Sequence, residues 1–400
     1  MSPRFRPCPH FGHCGGCTSF AAEYPAEFEA KRAKVEQGLR TALGTEELPP
    51  ILPFSAAPRR GPRHFRSRLL WPVQAKRHGH LRAGLYAAGS HQLVELESCE
   101  VQSREIFTLA HEILDLAKQF RLAPYQEASG KGFLRAIDLR MLPLVGEALV
   151  TIVTKGGLWP EGKDFAKRIR SRASQVRTQS PRGFRVAGVV RSLHDEGGNR
   201  VLGQRFVPLL GRDHLIDNID GLQLRLSAGS FYQSNWRAES LLFAPALALL
   251  GPLHGKVVLD VFAGVGSFGL RAARAGAKKT ILIESHPQAT RDAEHNVQRN
   301  QLADRVLVQR ADATDPAVLA ALDGDIAVLD PPRKGLGIPA AQALASSNLG
   351  RILYVSCYPK SLARDLAVFF RQGWRLQELR SADLFPRTEH LELVALLEHQ

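Results

Sequence analysis

Apolar positions along the chain keep two different rhythms. From residue 256 onward, short unbroken runs of aliphatic and β-branched residues alternate with stretches of helical period. Residues 256–260 (KVVLD), 280–284 (TILIE), 306–309, 326–330 (IAVLD) and 351–357 (RILYVSC) each have the length and composition of a buried strand. The first continues through Gly264, Gly266 and Gly269 into an Ala, Leu and Arg segment of helical spacing that ends at Arg274, which predicts strand, tight turn and helix. These segments predict a doubly wound α/β unit whose polar residues collect at the C-terminal ends of its strands. Upstream, residues 106–120 have helical periodicity, whereas 133–140, 148–154, 185–191 and 222–226 predict short strands joined by Gly-containing turns, a mixed α/β insert. Residues 22–38 predict an amphipathic helix, 44–58 a connector, 236–250 a helix and 390–397 a strand.

The glycine-rich turn after KVVLD would suit a dinucleotide as well as S-adenosyl-L-methionine, because its glycines only let the backbone turn sharply and approach a ligand. Two features favour the sulfonium cofactor: Asp260 stands directly before the turn, and no basic residue stands in it. Glu284, ending the second strand, is where an acid reaches a ribose, and Asp312 lies just beyond the third.

Composition then narrows the class. The 400 residues suit two or three domains, with 44% apolar and 23% charged residues. No 18-residue apolar run occurs and the first residues (MSPRFRPCPH) have no apolar core, so no membrane span or secretory signal is expected and a cytoplasmic, monomeric protein is. The net charge of +14 is concentrated: residues 51–90 hold eight Lys or Arg and no Asp or Glu, and residues 155–190 nine against two. Phe65, Trp71, Phe165 and Phe184 interleave with that charge, which predicts binding of a polyanion with bases stacked on rings.

Of the five cysteines, Cys8, Cys14 and Cys17 form C-x5-C-G-G-C, and Cys99 could close a set of four. Four thiolates hold either zinc or a [4Fe–4S] cluster, and the spacing does not choose between them. Residues 229–235 (GSFYQSN) interrupt the pattern just before the 236–250 helix; there Phe231 and Gln233 fit a base pocket as well as plain core. Cys357 ends a strand beside the cofactor edge, as Asp330 does in DPPR, and Arg333 stands where amino-methyltransferases carry an aromatic residue.

CPHFGHCGGC with Cys99, FYQSN, LDVFAGVGSFGL, LDPPRKG, YVSC and LFPRTEHLE, in this order over almost the whole chain, resemble the S-adenosylmethionine-dependent RNA uracil-C5 methyltransferases that carry an iron–sulfur cluster. The resemblance implies an α/β protein with a Rossmann-like methyltransferase domain at residues 230–400, a central mixed α/β RNA-binding domain at 101–229 and an N-terminal iron–sulfur and basic RNA-facing segment at 1–100. It implies Cys8, Cys14, Cys17 and Cys99 as [4Fe–4S] ligands, and Gln233, Asp260, Phe262, Gly264, Gly266, Glu284, Asp312 and Asp330 around the cofactor. Phe231, Gln233 and Asp330 would hold the target base, with Cys357 as nucleophile and Glu392 as general base; Glu389 is the competing candidate for that last role.

A thiolate added at C6 of uracil activates its poorly nucleophilic C5. Because the chain begins at the cysteine segment, it resembles the shorter members acting on 23S ribosomal RNA, so a 23S uridine is the expected substrate. The T-loop uridine of transfer RNA and a non-catalytic RNA-binding role are the alternatives. Two motifs depart from the family pattern: DVFAG stands for DLFCG, and Tyr358 follows the cysteine where an amide is usual.

Overall fold

The computed structural model describes residues 8–399 except 21–22, 45–47, 59–60, 77–79, 179, 181 and 199. The chain opens with α1 (Tyr24–Leu43), β1 (Ile51–Pro53), β2 (Arg68–Ala75), β3 (Leu81–Ala83), β4 (Leu85–Tyr86) and β5 (Leu93–Val94). Next come α2 (Arg104–Gln119), β6 (Leu134–Leu142), β7 (Glu147–Thr154), α3 (Gly162–Ala173), β8 (Arg185–Leu193), β9 (Arg205–Gly211), β10 (His214–Ile219) and β11 (Leu222–Ser227). After a π-helical turn, Glu239–Phe243, follow α4 (Ala244–Ala248), β12 (Val257–Val261), α5 (Gly269–Arg274), β13 (Lys279–Glu284), α6 (Pro287–Arg299) and β14 (Val306–Arg310). The last elements are α7 (Pro316–Ala320), β15 (Ile326–Leu329), α8 (Ile338–Ala345), β16 (Arg351–Ser356), α9 (Pro359–Arg371), β17 (Trp374–Ala382) and β18 (Glu392–His399).

Eight strands form the larger sheet, in the order β1-β17-β18-β16-β15-β12-β13-β14. From β14 to β16 neighbours run parallel, and β18 pairs antiparallel with both β16 and β17. Strands such as β15, buried at all four positions, can be apolar without alternation because helices cover both faces. The order reverses at β12, whose neighbours are β13 and β15, so the crevice at their C-terminal ends is the natural ligand site.

The second sheet, β3-β2-β6-β7-β8-β9, is covered on one face by α2 and α3. α2 buries Ile106, Leu109, Ala110, Ile113 and Ala117 at helical spacing. Leu149 and Val190 on the other face meet the β10–β11 hairpin and Leu270, Leu282 and Val297 of the larger unit. One core therefore runs between the two sheets.

Two elements differ from expectation for local reasons. The expected helix over 236–250 is split: Ala244 donates to the Glu239 carbonyl five residues back, and Pro245 next to it has no N–H to continue an α pattern. The expected connector over 44–58 contains β1, which adds in parallel to β17 with Ile51 opposite Leu379. α1 packs on α9, so α1 and β1 both lie against the carboxyl-terminal part of the chain.

The expected iron–sulfur segment requires correction. Cys8, Cys14, Cys17 and Cys99 do line one pocket, with Phe11, Phe20, Leu85 and Leu96. Yet among the described residues no group of three or more His, Cys, Asp or Glu side chains is arranged to hold a metal ion, which overturns the [4Fe–4S] cofactor and its four cysteine ligands. All four are free thiols. Burial pushes Cys14 and Cys99 up and Cys17 to about 12. The space they enclose is about 20 Å³, room for roughly one water.

The basic stretches also behave differently from a simple cationic surface. Arg63, Arg68 and Lys76 pair with Glu100, Asp138 and Glu95 at 3.0, 3.0 and 3.1 Å, and Phe65, Trp71 and Phe165 are core rather than stacking platforms. On α3, by contrast, Lys163, Lys167, Arg168 and Arg170 are exposed, and none takes part in an ion pair among the described residues. Among the described residues no helix is long and apolar enough to cross a membrane.

Candidate active site

At the β12 end the backbone turns through Phe262, a non-glycine residue with φ of 69°, and the N–H groups of Phe262 and Ala263 both donate to the Ile283 carbonyl at 3.1 and 3.0 Å. This draws the turn against β13 and its terminal Glu284. One Glu284 oxygen accepts from the Gly264 N–H at 2.9 Å and the other from the His286 N–H at 2.6 Å, which orients the carboxylate. Asp260, 1% exposed, accepts from the Gly269 N–H at 2.7 Å. It is raised to about 7 by burial, despite that hydrogen bond, with Asp330 and Glu284 adding repulsion. A Cβ at position 269 would lie 2.1 Å from Leu282 and 3.0 Å from the Asp260 carboxylate, so only glycine fits. Asp312 is held below the usual carboxylate range by the Thr314 N–H and hydroxyl, at 2.9 and 2.8 Å.

These groups line one side of a cavity of about 510 Å³, within the range of a small-molecule site. Ten of the residues singled out from sequence line it: Phe231, Gln233, Asp260, Phe262, Gly264, Glu284, Asp312, Asp330, Cys357 and Glu392. Gly266 does not; its φ of 91° shapes the turn, and a Cβ there would press on Leu270 and Leu282 at 3.1 Å.

The opposite side holds Cys357, Glu392, Asp330 and Arg333. Strand β16 ends at Ser356, paired with Leu393 of β18, so the next pair in register sets Cys357 beside Glu392. Cys357 is pushed up to about 11 by burial and then by the Glu392 carboxylate, against the pull of Arg333. Glu392, 3% exposed, is raised to about 8 by burial and then by Asp330, while Arg333 and Lys31 pull it down. Burial raises Asp330 itself to about 7. Arg333 donates to His390 Nε2 at 2.8 Å.

Glu389, the competing base candidate, points away: its side chain is 61% exposed and pairs with Lys34 at 3.6 Å. Phe231 stands 66% exposed at the cavity, while Gln233 is buried. Tyr358 is absent from the lining. Its N–H donates to the Ser356 hydroxyl at 3.2 Å just before α9.

Several lining residues escaped the sequence reading. Phe243 and Phe268 meet edge to face at 4.9 Å and wall the cofactor side. Phe268 lies in the glycine motif and was within reach, but Phe243 arrives only through the π-helical turn. Phe385 joins from the 383–391 loop.

Carboxylates beside an aromatic wall suit a ligand carrying ribose hydroxyls, an ammonium and a sulfonium. Residues 318–400 match the family described as tRNA (Uracil-5-)-methyltransferase, and residues 241–350 the family described as Conserved hypothetical protein 95. An uncharacterized RNA methyltransferase of Halalkalibacterium halodurans is 30% identical over 98% of this chain and 83% of its own length. One from Gloeobacter violaceus is 31% identical over 98% and 82%. The crystal structure of the Pyrococcus abyssi tRNA (uracil-54, C5)-methyltransferase in complex with S-adenosyl-L-homocysteine superimposes with a TM-score of 0.72, at 25% identity, over 97% of this chain and 86% of that one. With that fold, cavity and kinship, the chain belongs to the S-adenosylmethionine-dependent RNA (uracil-C5)-methyltransferases.

Proposed function

We propose that this enzyme methylates C5 of a uridine in transfer RNA, in the T-loop, with Cys357 as nucleophile and Glu392 as general base. The observation that carries the chemistry is the β16–β18 register, which sets those two side chains next to each other in the cavity that also holds Asp330 and Arg333. Transfer RNA is supported by the substrate named for the Pyrococcus relative and by the family matched at residues 318–400. The expectation of a 23S uridine rested on where the chain begins, which carries no information about substrate.

Glu284, Asp312 and the glycine turn would hold S-adenosylmethionine, which when bound would supply an electrophilic methyl group to C5 and leave as the neutral thioether. Cys357 loses its proton to solvent and its sulfur bonds to C6 of the base, moving charge into the ring so that C5 becomes nucleophilic and takes that methyl group. Thiolate and carboxylate repel each other, so the two groups take up charge in turn. Once the sulfur is a neutral thioether, Glu392 ionises more readily and can take the proton from C5, after which the C6–S bond breaks and Cys357 leaves. Arg333 stabilises whichever anion is present, and Asp330, near neutrality, can accept from a ring N–H or donate to a ring carbonyl. Phe231 offers a face for the extruded base.

Deleting the gene and mapping 5-methyluridine tests the substrate. Loss of the T-loop mark with the 23S marks intact is expected; loss of a 23S mark with the T-loop intact would overturn the transfer RNA reading.

A further inference from the structure

Residues 383–391 lead from β17 into Glu392, and this loop is held by α1 from the other end of the chain. Lys31 Nζ donates to the Asp383 carboxylate at 2.7 Å and to the Phe385 carbonyl at 3.1 Å, and the Tyr24 hydroxyl donates to the other Asp383 oxygen at 2.7 Å. Farther along, the Arg387 N–H donates to Glu27 at 3.0 Å and its guanidinium pairs with the same carboxylate, while Thr18 and Ser19 N–H groups donate to the Arg387 carbonyl at 2.8 and 3.1 Å. Tyr24, Glu27, Lys31 and Arg387 are 3, 7, 8 and 6% exposed.

Ion pairs this deeply buried are a poor way to glue a helix to a loop, because desolvation offsets their attraction and apolar side chains would do as well. What they add is a fixed pattern of charge on the loop that runs into the general base, with Phe385 of that loop lining the cavity. The ionisable groups acting on Glu392 are Asp330, Cys357, Arg333 and Lys31; those acting on Lys31 are Asp383, Glu27 and Glu392. Arg333 comes from the β15 end, but Lys31 comes from α1, a helix remote in sequence from the glycine turn and the DPPR motif.

We propose that Lys31, fixed by Asp383, is a positioning residue for catalysis: it holds the loop that leads into Glu392 and lends its positive charge to that carboxyl at the step in which the C5 proton is removed. The proposal rests on Glu392 being the base. A cation beside a carboxyl favours the carboxylate, so Lys31→Met should move the pH midpoint of proton removal upward. Asp383→Asn removes the loop anchor and the carboxylate that keeps the buried Lys31 protonated, so it should move the midpoint upward as well. A purely structural role would leave the midpoint where it is in both variants.

The readout is release of tritium from transfer RNA labelled at uridine C5, in single turnover with S-adenosylmethionine, as a function of pH. Melting temperature and cofactor affinity serve as folding controls. An upward shift of about half a pH unit for Lys31→Met corresponds to about threefold less ionised base below the midpoint, with Lys31→Arg restoring the parental profile. If Lys31→Met does not fold, an upward shift in Asp383→Asn together with a parental profile in Lys31→Arg carries the result. Unmoved midpoints, or a downward shift in either neutral variant, would overturn the proposal while leaving Glu392 as base. Parental tritium release by Glu392→Gln would overturn the base assignment and the proposal with it.

Discussion

Glu392→Gln should destroy turnover and stabilise the fold, and the two effects share one cause. Glu392 is 3% exposed and its carboxyl is raised to about 8, so at neutral pH folding requires it to take up a proton that the unfolded chain does not hold. The sign follows: for an acid raised on folding, stability is fully present below its unfolded value, near 4.5, and is lost as pH rises toward 8. At 1.36 kcal/mol per unit, the cost is about 1 kcal/mol at pH 5, about 3 at pH 7 and close to its ceiling of about 5 at pH 9. Gln has nearly the same shape and no proton to gain, so its advantage should grow over that range. Denaturant unfolding of both proteins at the three pH values measures it. A difference that stays flat with pH, or a Gln variant less stable at pH 9, would refute the reasoning. The same variant should accumulate RNA covalently bound through Cys357, since the carboxylate that takes the C5 proton is gone.

Other outcomes follow from single contacts. Gly269→Ala places a methyl 2.1 Å from Leu282; a loss of about 1–3 kcal/mol in unfolding is expected, with weaker S-adenosylmethionine binding by calorimetry. Phe231→Ala removes a ring that is 66% exposed, so thermal melting should barely move, while RNA affinity falls by the equivalent of about 1–3 kcal/mol of base stacking. Reversing Lys163, Lys167, Arg168 and Arg170 on α3 to Glu should weaken RNA binding and flatten its salt dependence, leaving the turnover rate at saturating RNA unchanged.

The parallel strands were legible because a strand buried on both faces needs an unbroken apolar run at its middle, and β12, β13, β15 and β16 announce themselves that way. Three-residue β1 has no room for a pattern, and its place in the sheet depends on β17, more than 300 residues away. In α3 the density of Lys and Arg masks the helical spacing of Phe165, Ala166, Ile169 and Ala173 beneath it.

The site was legible where its residues end strands, since topology delivers strand ends to one crevice whatever the loops do. The resemblance alone favoured Glu392 over Glu389; that one lines the cavity and the other faces solvent depends on the register of β18, which a run of alternating residues does not state. Convergence of the four cysteines could be read from their motif and a distant fourth member. Their arrangement could not, because it depends on side-chain directions around Phe11, Phe20 and Leu85. Nor could α1's hold on the 383–391 loop be foreseen, since its partners Glu27 and Arg387 lie 360 residues apart.

The central claim is methylation of uridine C5 in RNA through Cys357. Transfer RNA lacking 5-methyluridine, incubated with purified protein and methyl-labelled S-adenosylmethionine and then digested to nucleosides, tests it most directly. Label confined to 5-methyluridine with the parental protein and absent with Cys357→Ala is the expected result. Label in another nucleoside, or undiminished 5-methyluridine with Cys357→Ala, would contradict it.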